Sequence, residues 1–132
     1  MHGVSDEGRG GRTELVLVAH GSRAAAANDA HRAMAARLAE RLGAPVRASF
    51  LELAEPSIGD AVDAAVAAGA GRVVVLPHFL YPGRHVGEDI PAIVGEATER
   101  HPGTTIELAS ASGDDPTMLE LLAELARRAI GG

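Results

Sequence analysis

Three side chains that could bind a metal ion or accept a proton lie near the ends of apolar runs in the sequence. His20 directly follows the run 15–19, Glu52 lies near the end of a second run, and His85 comes after the run 73–76. Imidazole nitrogens and carboxylate oxygens are a common ligand set for a borderline divalent metal. Because the chain contains no cysteine, any metal would have to be bound by residues of these types.

Each of these residues also has a structural interpretation. A histidine at a strand end can serve only as a hydrogen-bonding group, which would account for His20. Glu52 stands between two leucines and could lie on a solvated strand face, and His85 could be a surface loop residue. The sequence has no local motif such as His-Glu-x-x-His and no glycine-rich phosphate loop after the first run. The residues alone therefore leave both interpretations open.

Three further histidines are candidates of lower rank. His78 directly follows the run 72–77 and competes with His85 for the same role. His31, within a helical pattern, and His101, before Pro102, are predicted to be surface residues.

The composition restricts the class of protein. A chain of 132 residues, 46% of them hydrophobic, has room for one domain with one core. The net charge of -6 and the aromatic content of 2% argue against nucleic acid as a partner. No apolar run approaches the roughly 20 residues that span a bilayer, and no signal-type apolar segment begins the chain, so we expect a cytosolic protein without membrane contact.

Short apolar runs alternate with helical patterns, which is typical of βαβ units and a parallel sheet. We predict a disordered tail over 1–12 and a single (βα)₄ domain over 13–132. The predicted strands are 15–19, 46–53, 72–77 and 105–109. The predicted helices cover 24–42, a segment opened by Pro56-Ser57, a segment from near Glu88 with Pro91 in its first turn, and a segment opened by Pro116. Right-handed crossovers then give an α/β fold, a three-layer α/β/α sandwich whose four-stranded parallel sheet has the order 2-1-3-4.

The helical periodicity also predicts which faces are buried. In the first helix these are Ala27, Ala30, Met34, Leu38 and Leu42. In the second they are Ile58, Ala61, Val62, Ala65 and Val66. In the last they are Leu119, Leu122, Leu125, Ala126 and Ile130. Since all strands of a parallel sheet point the same way, residues just past the strand ends should meet at one edge, and this would bring His20, Glu52 and His85 together.

Four segments resemble, in order and spacing, the sirohydrochlorin chelatases of the CbiX/SirB type in their short single-domain form. The segments are VAHGSR at 18–23, FLELAEPSI at 50–58, LPHFL at 76–80 and GRHVGEDIP at 83–91. The resemblance extends from about residue 15 to residue 130.

The resemblance implies insertion of Co²⁺, Fe²⁺ or Ni²⁺ into sirohydrochlorin for cobalamin or siroheme synthesis, with no ATP and no organic cofactor. It implies that His20 and His85 bind the metal, with Glu52 as third ligand or proton acceptor, and that a chain with one such domain forms a homodimer. A site for this reaction needs a base near the ring and ligands that release the metal. Because the substrate is a polycarboxylate, Arg23 and Arg84 could bind its acid arms, with His78 nearby.

Two other functions share some of these sequence features. A carrier that holds a metal or a tetrapyrrole without catalysing insertion would have the same sequence features. A histidine phosphatase is suggested by the pair His20-Gly21, but its reaction needs an arginine directly before the histidine, and Ala19 stands there.

Overall fold

Four β-strands and four α-helices alternate along the chain in the computed structural model, which describes residues 11–131 and, of His85, the backbone alone. The strands are β1 (Arg12–Ala19), β2 (Val46–Phe50), β3 (Ala70–Pro77) and β4 (Thr105–Leu108). The helices are α1 (Ala25–Leu42), α2 (Ile58–Ala67), α3 (Arg84–Arg100) and α4 (Pro116–Gly131), and a 3₁₀ turn at Ser112–Asp114 precedes α4.

The strands form one parallel sheet in the order β2-β1-β3-β4, which confirms the predicted fold class and strand order. β1 lies in the middle, and Leu15 is paired with Val46 on one side and with Val74 on the other. Val16 and Val18 are fully buried, and Leu17 between them is 3% exposed. Consecutive buried residues are expected of a central strand that is covered on both faces.

The core lies between one face of the sheet and the helices α2 and α3. Its members are Val16, Val18, Ala70, Val73 and Val75 from the strands, Ile58, Ala61, Val62 and Ala65 from α2, and Ile90, Val94 and Ala97 from α3. The buried residues of α2 are those that its periodicity predicted, except that Val66 is only partly buried. Leu17 points to the opposite face, which α1 covers, so the sheet is the middle of three layers.

Side chains and one glycine set several helix ends. Gly43 adopts the left-handed conformation (φ +68°) and ends α1. The Ser57 hydroxyl accepts the backbone N–H of Asp60 at 3.1 Å and caps α2. The Asp115 carboxylate accepts the backbone N–H of Thr117 at 2.8 Å, directly before the first-turn proline of α4.

The buried face predicted for α1 is wrong. Met34 is 45% exposed, Leu42 is 56% exposed, and Ala27 and Ala30 lie at the surface, whereas Leu38 is partly buried. The residues that α1 buries are Asn28, His31 and Ala35. Alanines stand on every side of this helix and give the apolar pattern no clear direction, so two hydrogen-bonded polar residues decide which side faces the sheet.

The surface positions predicted for His31 and His101 are wrong as well. His31 is 7% exposed, its Nε2 lies 3.0 Å from the carbonyl oxygen of Leu17, and its ring meets Phe50 edge to face at 5.2 Å. The side chain of His101 is 20% exposed and bonds to Asp63 at 2.7 Å. Each ring is hydrogen-bonded to a fixed acceptor, and this bond offsets the free-energy cost of burying a polar ring.

Helix α3 begins at Arg84 rather than near Glu88. His85 therefore lies in the first turn of a helix and not in a loop, and Pro91 lies in the helix interior and not in the first turn. Proline favours first turns because it has no backbone N–H to lose, which is why the sequence suggested the later start. Here the helix continues through Pro91, which is exposed to solvent. The helix has one backbone hydrogen bond fewer at this position, because proline has no N–H.

The apolar stripe predicted to be buried in α4 is exposed. Leu119 is 68% exposed, Leu122 54%, Leu125 47% and Ile130 85%, and α4 has no buried residue within the described part of the chain. The stripe exists, but α4 packs only loosely within the described residues, mainly against the 3₁₀ turn.

Strand β1 begins three residues earlier than predicted. The Arg12 guanidinium donates to the Glu14 carboxylate at 2.6 Å and to the carbonyl oxygen of Ala68 at 3.0 Å, which ties this residue to the sheet instead of to a tail. The rest of the predicted tail, residues 1–10, lies outside the described residues, and the division into a tail and one domain stays a prediction. None of the described helices has the length and apolarity to cross a membrane.

Candidate functional site

His20 and Glu52 form a close pair beyond the ends of β1 and β2. His20 Nε2 lies 3.0 Å from Glu52 Oε2. The pairing of the two strands, which ends with Ala19 opposite Phe50, is continued by backbone bonds from Leu51 N–H to the Ala19 oxygen (2.9 Å) and from Glu52 N–H to the His20 oxygen (3.0 Å). Two residues that are 32 positions apart in sequence are thereby brought together, as the sequence predicted.

Gly21 makes this close approach possible. It has φ +101°, and a Cβ atom at this position would lie 1.7 Å from the carbonyl oxygen of Glu52. Only glycine offers both the conformation and the space. The backbone conformation and the close approach of Glu52 therefore require a glycine after His20, independently of any role in binding phosphate.

An open cavity of about 330 Å³ lies beside the pair. Its residues come from the ends of β1 and β2 and from one side of α3: His20, Leu51, Glu52, Asp89, Ala92 and Ile93. The side chains of His20 and Glu52 are 55% and 57% exposed, so both are open to a ligand from solvent. The ring of Phe79, which follows β3, meets the His20 ring at 6.4 Å and 65°. The cavity thus combines an imidazole, two carboxyl groups and an apolar wall.

The sequence reasoning missed Asp89. This residue is four positions after His85, and residues at that spacing share one face of a helix. The signal was present in the sequence, but the helix was predicted to begin near Glu88, which separated the two residues into a loop and a helix.

The position of His85 is given by its backbone. It is the second residue of α3, one turn before Asp89. Its side chain lies outside the described part of the structure, so its place in a metal site stays a prediction. Among the side chains that are described, no three from His, Asp and Glu stand close enough together to hold a metal ion.

His78 does not line this cavity. Its Nδ1 lies 2.8 Å from the hydroxyl oxygen of Ser112, which in turn donates to the carbonyl oxygen of Phe79 at 3.3 Å. The Ser112 hydroxyl therefore links the His78 ring to the backbone of the segment that follows β3. His78 also contributes to lowering the pKa of His31, after the larger effect of burial.

The two arginines predicted to bind the substrate are both at the surface, close in sequence to His20 and to His85. Arg23 is exposed in the segment between β1 and α1. Arg84 is the first residue of α3, its side chain is 93% exposed, and its Nε lies 3.3 Å from Glu88 Oε2. A weak surface ion pair of this kind leaves the guanidinium available to a stronger acceptor.

The family model described as CbiX matches residues 14–129. The chain belongs to the CbiX family. This CbiX-family chain is 36% identical over 121 residues to the chloroplastic sirohydrochlorin ferrochelatase of Arabidopsis thaliana, with 91% of this chain and 54% of the relative covered. It is 39% identical over 88 residues to the sirohydrochlorin cobaltochelatase of Methanocaldococcus jannaschii, with 66% and 62% covered. The chain therefore spans between half and two thirds of the length of these relatives.

Solved structures of CbiX-family proteins have the same fold. The CbiX protein of Marinobacter aquaeolei VT8 matches with a TM-score of 0.78 and 29% identity over 90% of this chain and 98% of that one. The sirohydrochlorin chelatase SirB of Bacillus subtilis subspecies spizizenii, solved in complex with cobalt, matches with a TM-score of 0.72 and 33% identity over 79% of this chain and 45% of SirB.

Proposed function

We propose that this protein inserts Co²⁺, Fe²⁺ or Ni²⁺ into sirohydrochlorin, without ATP or an organic cofactor. The observation that carries the proposal is the pair His20–Glu52 on the wall of an open cavity, in a CbiX-family fold. The names of the relatives support the substrate, since they include both sirohydrochlorin ferrochelatases and cobaltochelatases.

The geometry of the pair suits a metal that is delivered and released. Two ligands at about 2.1 Å from one ion and at right angles to each other are about 3.0 Å apart, and His20 Nε2 and Glu52 Oε2 are separated by 3.0 Å. The two atoms could therefore bind one divalent ion with little change in the distance between them. With His85 as third ligand, the ion would keep positions open for the nitrogens of the ring.

Insertion also requires that two pyrrole protons leave the tetrapyrrole. A neutral imidazole and a carboxylate are both suitable acceptors near neutral pH, so His20, His85 and Glu52 serve as metal ligands and proton acceptors in turn. Asp89 adds a further carboxyl group on the facing wall. Arg23 and Arg84 bind the acid arms of the substrate, and His78 offers its Nε2 at the neighbouring strand end.

A homodimer is the second part of the proposal. The stripe of Leu119, Leu122, Leu125 and Ile130 on α4 is exposed, and Leu80 and Tyr81, next to α4, are 57% and 91% exposed. An apolar surface of this kind in a soluble domain marks an interface. The cytosolic location also stays a prediction, since one relative is chloroplastic.

The test is an insertion assay with the purified full chain. Sirohydrochlorin and Co²⁺ are incubated anaerobically with and without protein, the absorption change is followed, and Fe²⁺ and Ni²⁺ are then compared in competition. We expect the protein to accelerate insertion over the metal-only reaction. Binding of metal or tetrapyrrole without acceleration would instead show a carrier.

A further inference from the structure

The segment 20–24, which contains His20, is held from two sides. On one side the His20 carbonyl accepts the backbone N–H of Glu52 at 3.0 Å. On the other side lies Asn28, a residue in the first turn of α1 that is only 9% exposed. The side chain of His20 is 55% exposed and has contacts only with Glu52 and the Phe79 ring among those described above, so its position depends strongly on the backbone that carries it.

Asn28 bonds to both backbone groups of Ser22. Its Oδ1 accepts the N–H of Ser22 at 3.0 Å, and its Nδ2 donates to the carbonyl oxygen of Ser22 at 2.8 Å. The opposite orientation of the amide would place donor against donor and acceptor against acceptor, so the arrangement is fixed by the partners. Because both bonds come from the planar amide group of Asn28, they fix the orientation of the Ser22 backbone as well as its distance from α1.

The residue before α1 is also held through Ser22, although no side chain caps the helix. The residue at the N-cap of α1 is Ala24, which has no side chain able to bond, and its backbone N–H donates to the hydroxyl oxygen of Ser22 at 3.0 Å. Ser22 therefore joins the start of α1 to the end of β1, and Asn28 fixes Ser22. Both the oxygen and the nitrogen of the Asn28 amide are hydrogen-bonded, which offsets the cost of burying this polar side chain.

We propose that Asn28 is a positioning residue for the insertion reaction: it holds the His20–Ser22 backbone so that His20 Nε2 stays in line with Glu52 at the cavity. This inference rests on the proposed function. Asn28 is buried beneath the segment and does not line the cavity, so it acts through His20 and not by touching the substrate.

The test compares three variants below their melting temperatures. Asn28→Ala removes both bonds. Asn28→Asp keeps the size of the side chain and one acceptor but loses the donor to the Ser22 carbonyl, and it serves if the alanine variant does not fold. Asp63→Asn is the control, because it weakens side-chain bonds to Arg100 and His101, away from the cavity. We expect kcat to fall about 10- to 100-fold in both Asn28 variants with KM unchanged, and to stay at the wild-type value in the control.

A second readout does not depend on activity. The Glu52 amide, which donates to the His20 carbonyl, should exchange with solvent deuterium faster in the Asn28 variants than in the wild type, relative to amides in β3. Wild-type kcat in folded Asn28 variants, or unchanged exchange at Glu52, would overturn the inference. If the wild type itself shows no insertion, the proposed function fails, and the exchange measurement alone decides whether Asn28 positions His20.

Discussion

His20 and Glu52 contact each other at two places. The Glu52 N–H donates to the His20 carbonyl oxygen, and His20 Nε2 lies beside Glu52 Oε2; both distances are 3.0 Å. The backbone bond extends the ladder between β1 and β2, and the side-chain contact faces the cavity. The position of the reactive groups is thus set by the pairing of the two strands.

The first prediction concerns these two residues and His85. His20→Ala, His85→Ala and Glu52→Gln should each lower the insertion rate by about 100-fold or more, because each removes a ligand or a proton acceptor. The fold should survive, since the side chains of His20 and Glu52 are more than half exposed. The absorption assay and a melting curve check both statements. His101→Ala, which changes a histidine outside the cavity, should keep the wild-type rate, and near-normal turnover in any of the three variants would remove that residue from the site.

The second prediction concerns Gly21. Gly21→Ala should destabilise the protein by about 1–3 kcal/mol and lower kcat, because the residue has positive φ and the added methyl would meet the Glu52 carbonyl. Gly43→Ala is the matched control: Gly43 also has positive φ (+68°) but has open space around it. It should cost about 1–2 kcal/mol, the penalty of the left-handed conformation, and leave kcat intact. Urea unfolding and the insertion assay give the two quantities. Equal kcat values for the two variants would contradict the role assigned to Gly21.

The third prediction is a pH dependence of stability from His31. Burial lowers the pKa of His31 below its usual value of 6.5. The unfolded chain therefore takes up this proton first as the pH falls, so the stability that neutral His31 contributes is present above pH 6.5 and is lost on acidification towards its folded pKa. His31→Gln keeps an N–H donor for the Leu17 carbonyl and should lose less stability than the wild type between pH 7.5 and pH 5. Urea unfolding at both pH values measures the free energy of unfolding. An equal loss of this free energy in the wild type and in His31→Gln would contradict the prediction.

The fourth prediction concerns the exposed stripe on α4. We expect the wild type to sediment as a dimer at micromolar concentration and Leu122→Arg to sediment as a monomer, because a buried arginine without a partner opposes association. Leu42→Arg on α1 is the control, since Leu42 and Leu122 are almost equally exposed, at 56% and 54%. A monomeric wild type, or an equal effect of both substitutions, would refute the proposed interface.

The fifth prediction concerns the two arginines proposed to bind the acid arms of the substrate. Arg23→Ala and Arg84→Ala should each raise the KM for sirohydrochlorin by about 10-fold with little change in kcat, because a hydrogen bond to a charged group contributes about 1.5–3 kcal/mol. Arg41→Ala, in the last turn of α1 and away from the strand ends, should leave KM unchanged. Unaltered KM in both the Arg23 and the Arg84 variant would show that the acid arms are bound elsewhere.

The features that follow from strand geometry could be predicted from the sequence. The order of the sheet and the meeting of His20 with Glu52 depend only on parallel strands whose ends share an edge. The faces of the helices could not be predicted as well. Alanines on every side of α1 hide the face that carries Asn28 and His31, and Asp89 was missed because Pro91 suggested a later helix start. The stripe on α4 is apolar in the sequence, but a pattern of leucines does not say which molecule covers it.

The placement of the site on the two neighbouring strands β2 and β1 has a consequence for heat inactivation. Strand β1, which leads into His20, is an inner strand of the sheet, and such a strand opens only when the whole domain unfolds, whereas a loosely packed helix can fray at much lower cost. Loss of the His20–Glu52 arrangement should therefore coincide with cooperative melting of the domain. Local opening of α4 should come earlier and leave this pair of residues in place.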